Sequence, residues 1–90
     1  MLNKEIISAF GKRIRHLREE KGISQEELSF KTGFHRTYIG MIERGERNVS
    51  LSNIGVFAKS FEMDISALLD LKCIQPNLDY TNYQTKVDQN

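Results

Sequence analysis

Gln25–Arg44, QEELSFKTGFHRTYIGMIER, is the stretch whose reading decides the fold. It reads as two short helices around a tight turn. Ser24 precedes the first helix as an N-cap, and Glu27 follows three residues on, the reciprocal pattern of a capping box. The first helix covers Gln25–Thr32 and stops at Gly33, the residue type that turns a chain through positive φ at least cost. The chain re-enters a helix near His35 and continues to Arg44, where Gly45 ends it. Leu28, Phe34, Ile39 and Ile42 give the unit an apolar inner side, and Ser29 is small where a second helix would cross. Two helices packed steeply through a short glycine-containing turn make a helix-turn-helix.

The combination of Gln25, Ser29, Gly33, Ile39, Ile42 and the run Glu43-Arg44-Gly45 resembles the helix-turn-helix of lambda-repressor and Cro-like (XRE-type) transcriptional regulators. Within that group HRTYIGMIERGERNVS is most similar to the controller proteins of restriction–modification systems. The resemblance implies an all-α, compact five-helix lambda-repressor-like DNA-binding domain with a short C-terminal tail. Residues 1–73 would be the domain, with a dimerising last helix, and 74–90 a polar, partly disordered tail.

Length and composition suit that size. Ninety residues make one small domain, and a core this small is marginal enough for dimerisation to be a natural supplement. The single cysteine excludes an intramolecular disulfide and any multi-cysteine metal site, and it fits a reducing cytoplasm. No apolar run is long enough for a membrane span, and Met1–Phe10 lacks the apolar core of a signal peptide. The net charge of +1 hides an asymmetry. Residues 1–49 hold ten Lys/Arg against seven Asp/Glu, and residues 50–90 three against five. Net +3 around the helix-turn-helix and −2 beyond it suit a duplex-facing half and a partner-facing half.

Along the chain, Ile7, Phe10, Ile14 and Leu17 recur at helical spacing and predict a first helix over residues 4–21. Lys12, Arg13, Arg15 and Arg18 lie on or beside its other faces. The resemblance pairs Arg18 with Glu43, a structural ion pair clamping the first helix to the third. His16 has no second ligand at metal spacing and reads as a surface histidine. Gln25 opens the second helix, whose N-terminus suits a DNA phosphate and where the resemblance implies such a contact; a capping or exposed Gln is the less favoured reading. Phe30 either packs on the first helix or lies beside the duplex. The outward set of the recognition helix is His35, Arg36, Thr37, Gly40, Met41 and Arg44, and Tyr38 either reaches a phosphate with its hydroxyl or packs at the helix edge. Arg36 can donate two parallel hydrogen bonds to guanine O6 and N7, and Thr37 can touch a thymine methyl. Gly40 costs a helix about 1 kcal/mol, which close approach to DNA or to a neighbouring helix would offset. Arg47 and Asn48 follow in a loop that related regulators use on phosphates.

Ser50 caps a fourth helix to about Phe61, with Ile54, Phe57, Ala58 and Phe61 on one face. Asp64 caps a fifth over residues 65–71. The resemblance assigns Ile65, Leu68 and Leu69 to a two-fold dimer interface. Pro76 stops helix propagation, and Tyr80, Tyr83 and Val87 are spaced for a short docking segment. No nucleophile–histidine–acid set or phosphate-cradling glycine loop supports an enzyme, and neither cofactor nor metal is expected. The reading is a homodimeric sequence-specific regulator. Its partners are double-stranded DNA and a second copy, with RNA polymerase as a further candidate. A phage-type repressor or a toxin-binding adaptor of the same fold is the alternative.

Overall fold

The computed structural model describes residues 4–74 and 76–77. The expected docking segment at Tyr80, Tyr83 and Val87 lies outside the described residues. Among the described residues five helices follow one another: α1 (Lys4–Glu20), α2 (Gln25–Thr32), α3 (Arg36–Glu43), α4 (Leu51–Ser60) and α5 (Ile65–Leu68), then a 3-10 turn at Leu71–Cys73. Among the described residues no helix is long and apolar enough to cross a membrane.

The apolar stripes of these helices meet in one core. Ala9, Phe10, Ile14 and Leu17 of α1 close on Leu28, Ile39, Ile42, Phe57, Ala58, Phe61, Leu68 and Leu71. Phe57 stands at the centre, fully buried, with the Phe10 and Phe34 rings 6.2 and 5.2 Å away. Fully burying side chains of this size contributes roughly 1.5–3 kcal/mol each, and no polar or charged residue is fully buried among them.

Local signals set the helix ends. The capping box is complete: Ser24 Oγ accepts from Glu27 N–H at 3.0 Å, and Glu27 Oε1 accepts from Ser24 N–H at 2.9 Å. Gly33 takes φ +81° and donates its N–H to the Ser29 carbonyl at 2.8 Å, so the turn into α3 is left-handed. Ser50 caps α4 through Asn53 N–H.

Two features depart from the sequence reading. α5 spans four residues, not seven. The Arg13 guanidinium donates from Nη2 to the Ala67 carbonyl at 2.8 Å and from Nε to the Leu68 carbonyl at 3.1 Å. A helix continued to residues 71 and 72 would need those same carbonyls for its own N–H groups. The chain instead bends at Asp70, where Leu71 N–H reaches the Leu69 carbonyl at 2.8 Å, and Leu71 drops into the core. Arg13 is therefore a clasp between α1 and α5, not a solvated base.

The second is Gly11, which the sequence reading did not single out. It is buried at the crossing of α1 and α3, and a Cβ there would collide with the Ile42 carbonyl oxygen and stand 3.1 Å from that of Glu43. Backbone on the far side cannot rotate away as a side chain can. Gly11→Ala is expected to destabilise the protein by about 3 kcal/mol, the upper end of overpacking costs. Equilibrium urea unfolding measures it, and a loss below about 0.5 kcal/mol, the range of ordinary surface changes, would show that the crossing can open.

Candidate nucleic-acid interface

α3 is held at both ends. At its C-terminus, Glu43 Oε2 accepts from Arg18 Nε at 2.7 Å and Oε1 from Arg18 Nη2 at 3.0 Å, a two-bond fork. The pair is well shielded, with side chains 13% and 4% exposed. Arg18 Nη1 donates to the Ile23 carbonyl at 3.0 Å, and Gln25 Nε2 donates to Glu43 Oε1 at 3.1 Å. Hydrogen bonding to Glu43 raises the Arg18 pKa above its ordinary value, so the guanidinium stays charged. At the N-terminus, His35 is the cap of α3 rather than its first residue, and its Nδ1 accepts from Thr37 N–H at 3.0 Å.

Between these anchors the predicted site residues separate. Arg36 and Thr37 are exposed on the first turn of α3. The Arg36 side chain has no hydrogen bond, ion pair or ring contact among the described residues. Tyr38 is half-buried: its ring packs edge-on to Phe34 at 5.2 Å, its hydroxyl accepts from Asn53 Nδ2 at 2.9 Å, and Arg47 lies over its face at 5.6 Å. Tyr38 thus ties α3 to α4 while carrying the loop arginine. Asn48 is exposed beside Arg47, and Met41 is half-buried. Gln25 is half-buried and bonded to Glu43.

Gly40 does not belong to the outward set. It is buried beneath the protein's own side chains: a Cβ there would stand 3.2 Å from Arg44 Nη1 and 3.6 Å from Gln25 Oε1. The room it leaves is taken by Arg44. That arginine reaches Glu46 in turn, with Nε to Oε2 at 3.0 Å and Nη2 to Oε1 at 3.2 Å. Hydrogen bonding between them raises the pKa of Arg44 and lowers that of Glu46.

On α5, Leu68 is fully buried and spent on the core of one copy, which removes it from the expected dimer face. Ile65 and Leu69 remain 43% and 38% exposed. Phe30 is 79% exposed on α2. No cluster of metal-binding side chains occurs among the described residues.

A capped first helix, a left-handed glycine turn and a second helix with free N-terminal side chains define the helix-turn-helix class. The helix-turn-helix family model matches residues 14–68. Control protein C.BamHI of Bacillus amyloliquefaciens is 47% identical over 66 residues, 72% of this chain and 82% of that protein. The structure of the restriction–modification controller C.AhdI from Aeromonas hydrophila superposes with a TM-score of 0.66 at 47% identity, covering 69% of this chain and 94% of that one. The controller C.Esp1396I, solved as a tetramer in complex with its natural 35 base-pair operator, superposes with a TM-score of 0.68 at 32% identity, covering 73% and 87%. The chain belongs to the helix-turn-helix family and, within it, to the restriction–modification control proteins.

The Arg18–Glu43 fork has a measurable signature. Arg18→Leu leaves Glu43 shielded with only the Gln25 amide, and is expected to cost about 3–5 kcal/mol. The double variant Arg18→Leu/Glu43→Leu is expected to recover part of that loss. A double-mutant cycle by urea unfolding checks it, and additive losses would mean that the two charges do not depend on each other.

Proposed function

We propose that the protein is a sequence-specific double-stranded DNA-binding regulator of transcription. It is the controller of a restriction–modification system and acts as a homodimer on pseudo-palindromic operators. One observation carries this reading. Arg36 and Thr37 stand exposed at the start of α3, and Arg36 has no partner among the described residues, on a helix anchored by Arg18–Glu43 and capped by His35. A recognition helix offers base edges its N-terminal residues. Arg36 would take guanine O6 and N7, and Thr37 a neighbouring base or thymine methyl.

The residues around this pair would grip the backbone. Gln25 and His35 stand beside the start of α3, Tyr38 and Met41 lie within it, and Arg44, Arg47 and Asn48 follow its end. Phosphate contacts of this kind set register and orientation, while base contacts set sequence. Ile65 and Leu69 offer an apolar face to a second copy, placing two recognition helices about 34 Å apart in successive major grooves. The operator complex of C.Esp1396I supports both the partner and the assembly. In this role the chain is a cytoplasmic regulator rather than an enzyme, and RNA polymerase is the machinery it would recruit or block.

Selection of bound sequences from random duplex DNA, at near-physiological salt, tests the reading. A two-fold symmetric consensus is expected, with binding that weakens steeply as salt rises because phosphate neutralisation releases counterions. No enrichment would sink it. Arg36→Ala is expected to cost about 1–3 kcal/mol at the selected site and to relax preference at one base pair of each half-site. Fluorescence anisotropy on cognate and random duplexes measures both, and equal loss on the two would remove Arg36 from the base-reading role.

A further inference from the structure

The functional reading uses Arg44 but leaves its ion-pair partner Glu46 without a role. Both side chains are more than half or half exposed, at 59% and 50%. A pair so exposed contributes little to folding. Its geometry is nonetheless well defined. Glu46 grips the guanidinium from the side, through Nε and Nη2. The Glu46 backbone is itself anchored, since Glu46 N–H donates to the Met41 carbonyl and Gly45 N–H to the Ile42 carbonyl, each at 2.9 Å. Gly40 lets the guanidinium lie close against α3.

A guanidinium has five N–H donors in a planar fork. A side-on carboxylate uses one on Nε and one on Nη2. The remaining donors on Nη1 and Nη2 form a second parallel pair along the end of the group. That edge matches two oxygens of a phosphate or the acceptor edge of guanine. We propose that Glu46 is a positioning residue for Arg44: it holds one edge of the guanidinium so that the other is set in advance for DNA. This rests on the reading of α3 as the DNA-facing helix. A carboxylate that merely competed with DNA would occupy the end of the fork, whereas this one leaves the end open. The Arg44 hydrogen bond lowers the Glu46 pKa below its ordinary value, which favours the charged form of the brace. Holding a long side chain before binding lowers the ordering entropy lost on binding, the general benefit of preorganisation.

The test is a double-mutant cycle on the full chain. Dissociation constants are measured on the selected operator for the wild type, Glu46→Gln, Arg44→Ala and the double variant, with thermal melting alongside. Glu46→Gln is expected to weaken operator binding about three- to ten-fold, the loss of one preordered side chain. It should do nothing further in the Arg44→Ala background and should leave melting unchanged. Tighter binding by Glu46→Gln overturns the proposal and makes Glu46 a competitor for Arg44. Equal weakening in both backgrounds overturns it too, since Glu46 would then act without Arg44. Unchanged binding by Arg44→Ala, with Arg36→Ala still weakened, removes Arg44 from the interface and the proposal with it. Failure of the wild type to bind any duplex is a different result, and it falls on the functional reading itself.

Discussion

The orientation of the recognition helix depends on Arg18 and Glu43. Two bonds of 2.7 and 3.0 Å join them across a nearly solvent-free contact. Each ion also bonds to a third group. The third nitrogen of Arg18 goes to the Ile23 carbonyl in the turn between α1 and α2, and Glu43 takes a further bond from Gln25 at the start of α2. One pair therefore fixes the end of α3 against two other elements. Shielded ion pairs are weak sources of net stability, because desolvation offsets most of the attraction. Their geometry is demanding, however, and geometry is what a reading head needs. The apolar core holds the helices together, and the fork decides at what rotation α3 emerges from it.

The close crossing at Gly11 makes the fork possible. With no side chain between them, α1 and the end of α3 approach until the Ile42 and Glu43 carbonyls lie against Gly11. A short bidentate bond seven residues further along α1 then falls within reach. Arg13 acts in the other direction from the same helix, holding the Ala67 and Leu68 carbonyls of α5. α1 is thus the spine to which both the DNA-facing and the outer apolar parts are attached.

What could be read from the sequence divides along the same line. The capping box at Ser24 and Glu27, the left-handed Gly33 and the cap at Ser50 were legible because each partner lies within a few residues. Helix membership of the core stripes was legible for the same reason, since periodicity is local. The Arg18–Glu43 pair, 25 residues apart, came from family resemblance and not from spacing. Arg13 went unseen in a run of bases that differ only in which neighbour they meet, and its acceptors lie more than fifty residues away. Leu68 and Leu69 are adjacent apolar residues, one fully buried and one 38% exposed, and an apolar count cannot divide them between core and partner. Gly40 gave a true signal of missing volume, but a single chain of letters does not say whether DNA or Arg44 fills it.

The arginines show how the fold divides one kind of charge among several tasks. Arg13 and Arg18 are committed to carbonyls and a shielded carboxylate, so part of the positive charge in the first half of the chain is unavailable to DNA. Arg44 and Arg47 are held on one side only, by Glu46 and by the Tyr38 ring. Arg36 is held by nothing among the described residues. On the proposed reading, this order matches what each would meet. Phosphates recur at every step of a duplex, so a side chain braced in advance meets a suitable acceptor whatever the sequence. A base edge changes from step to step, and only guanine offers two acceptors to the arginine fork in the major groove. A free Arg36 can turn back into solvent at a wrong base without leaving a buried charge unpaired. On the proposed reading it would gain its two bonds only at the right one, and the side chain the fold leaves unheld would be the one fitted to discriminate.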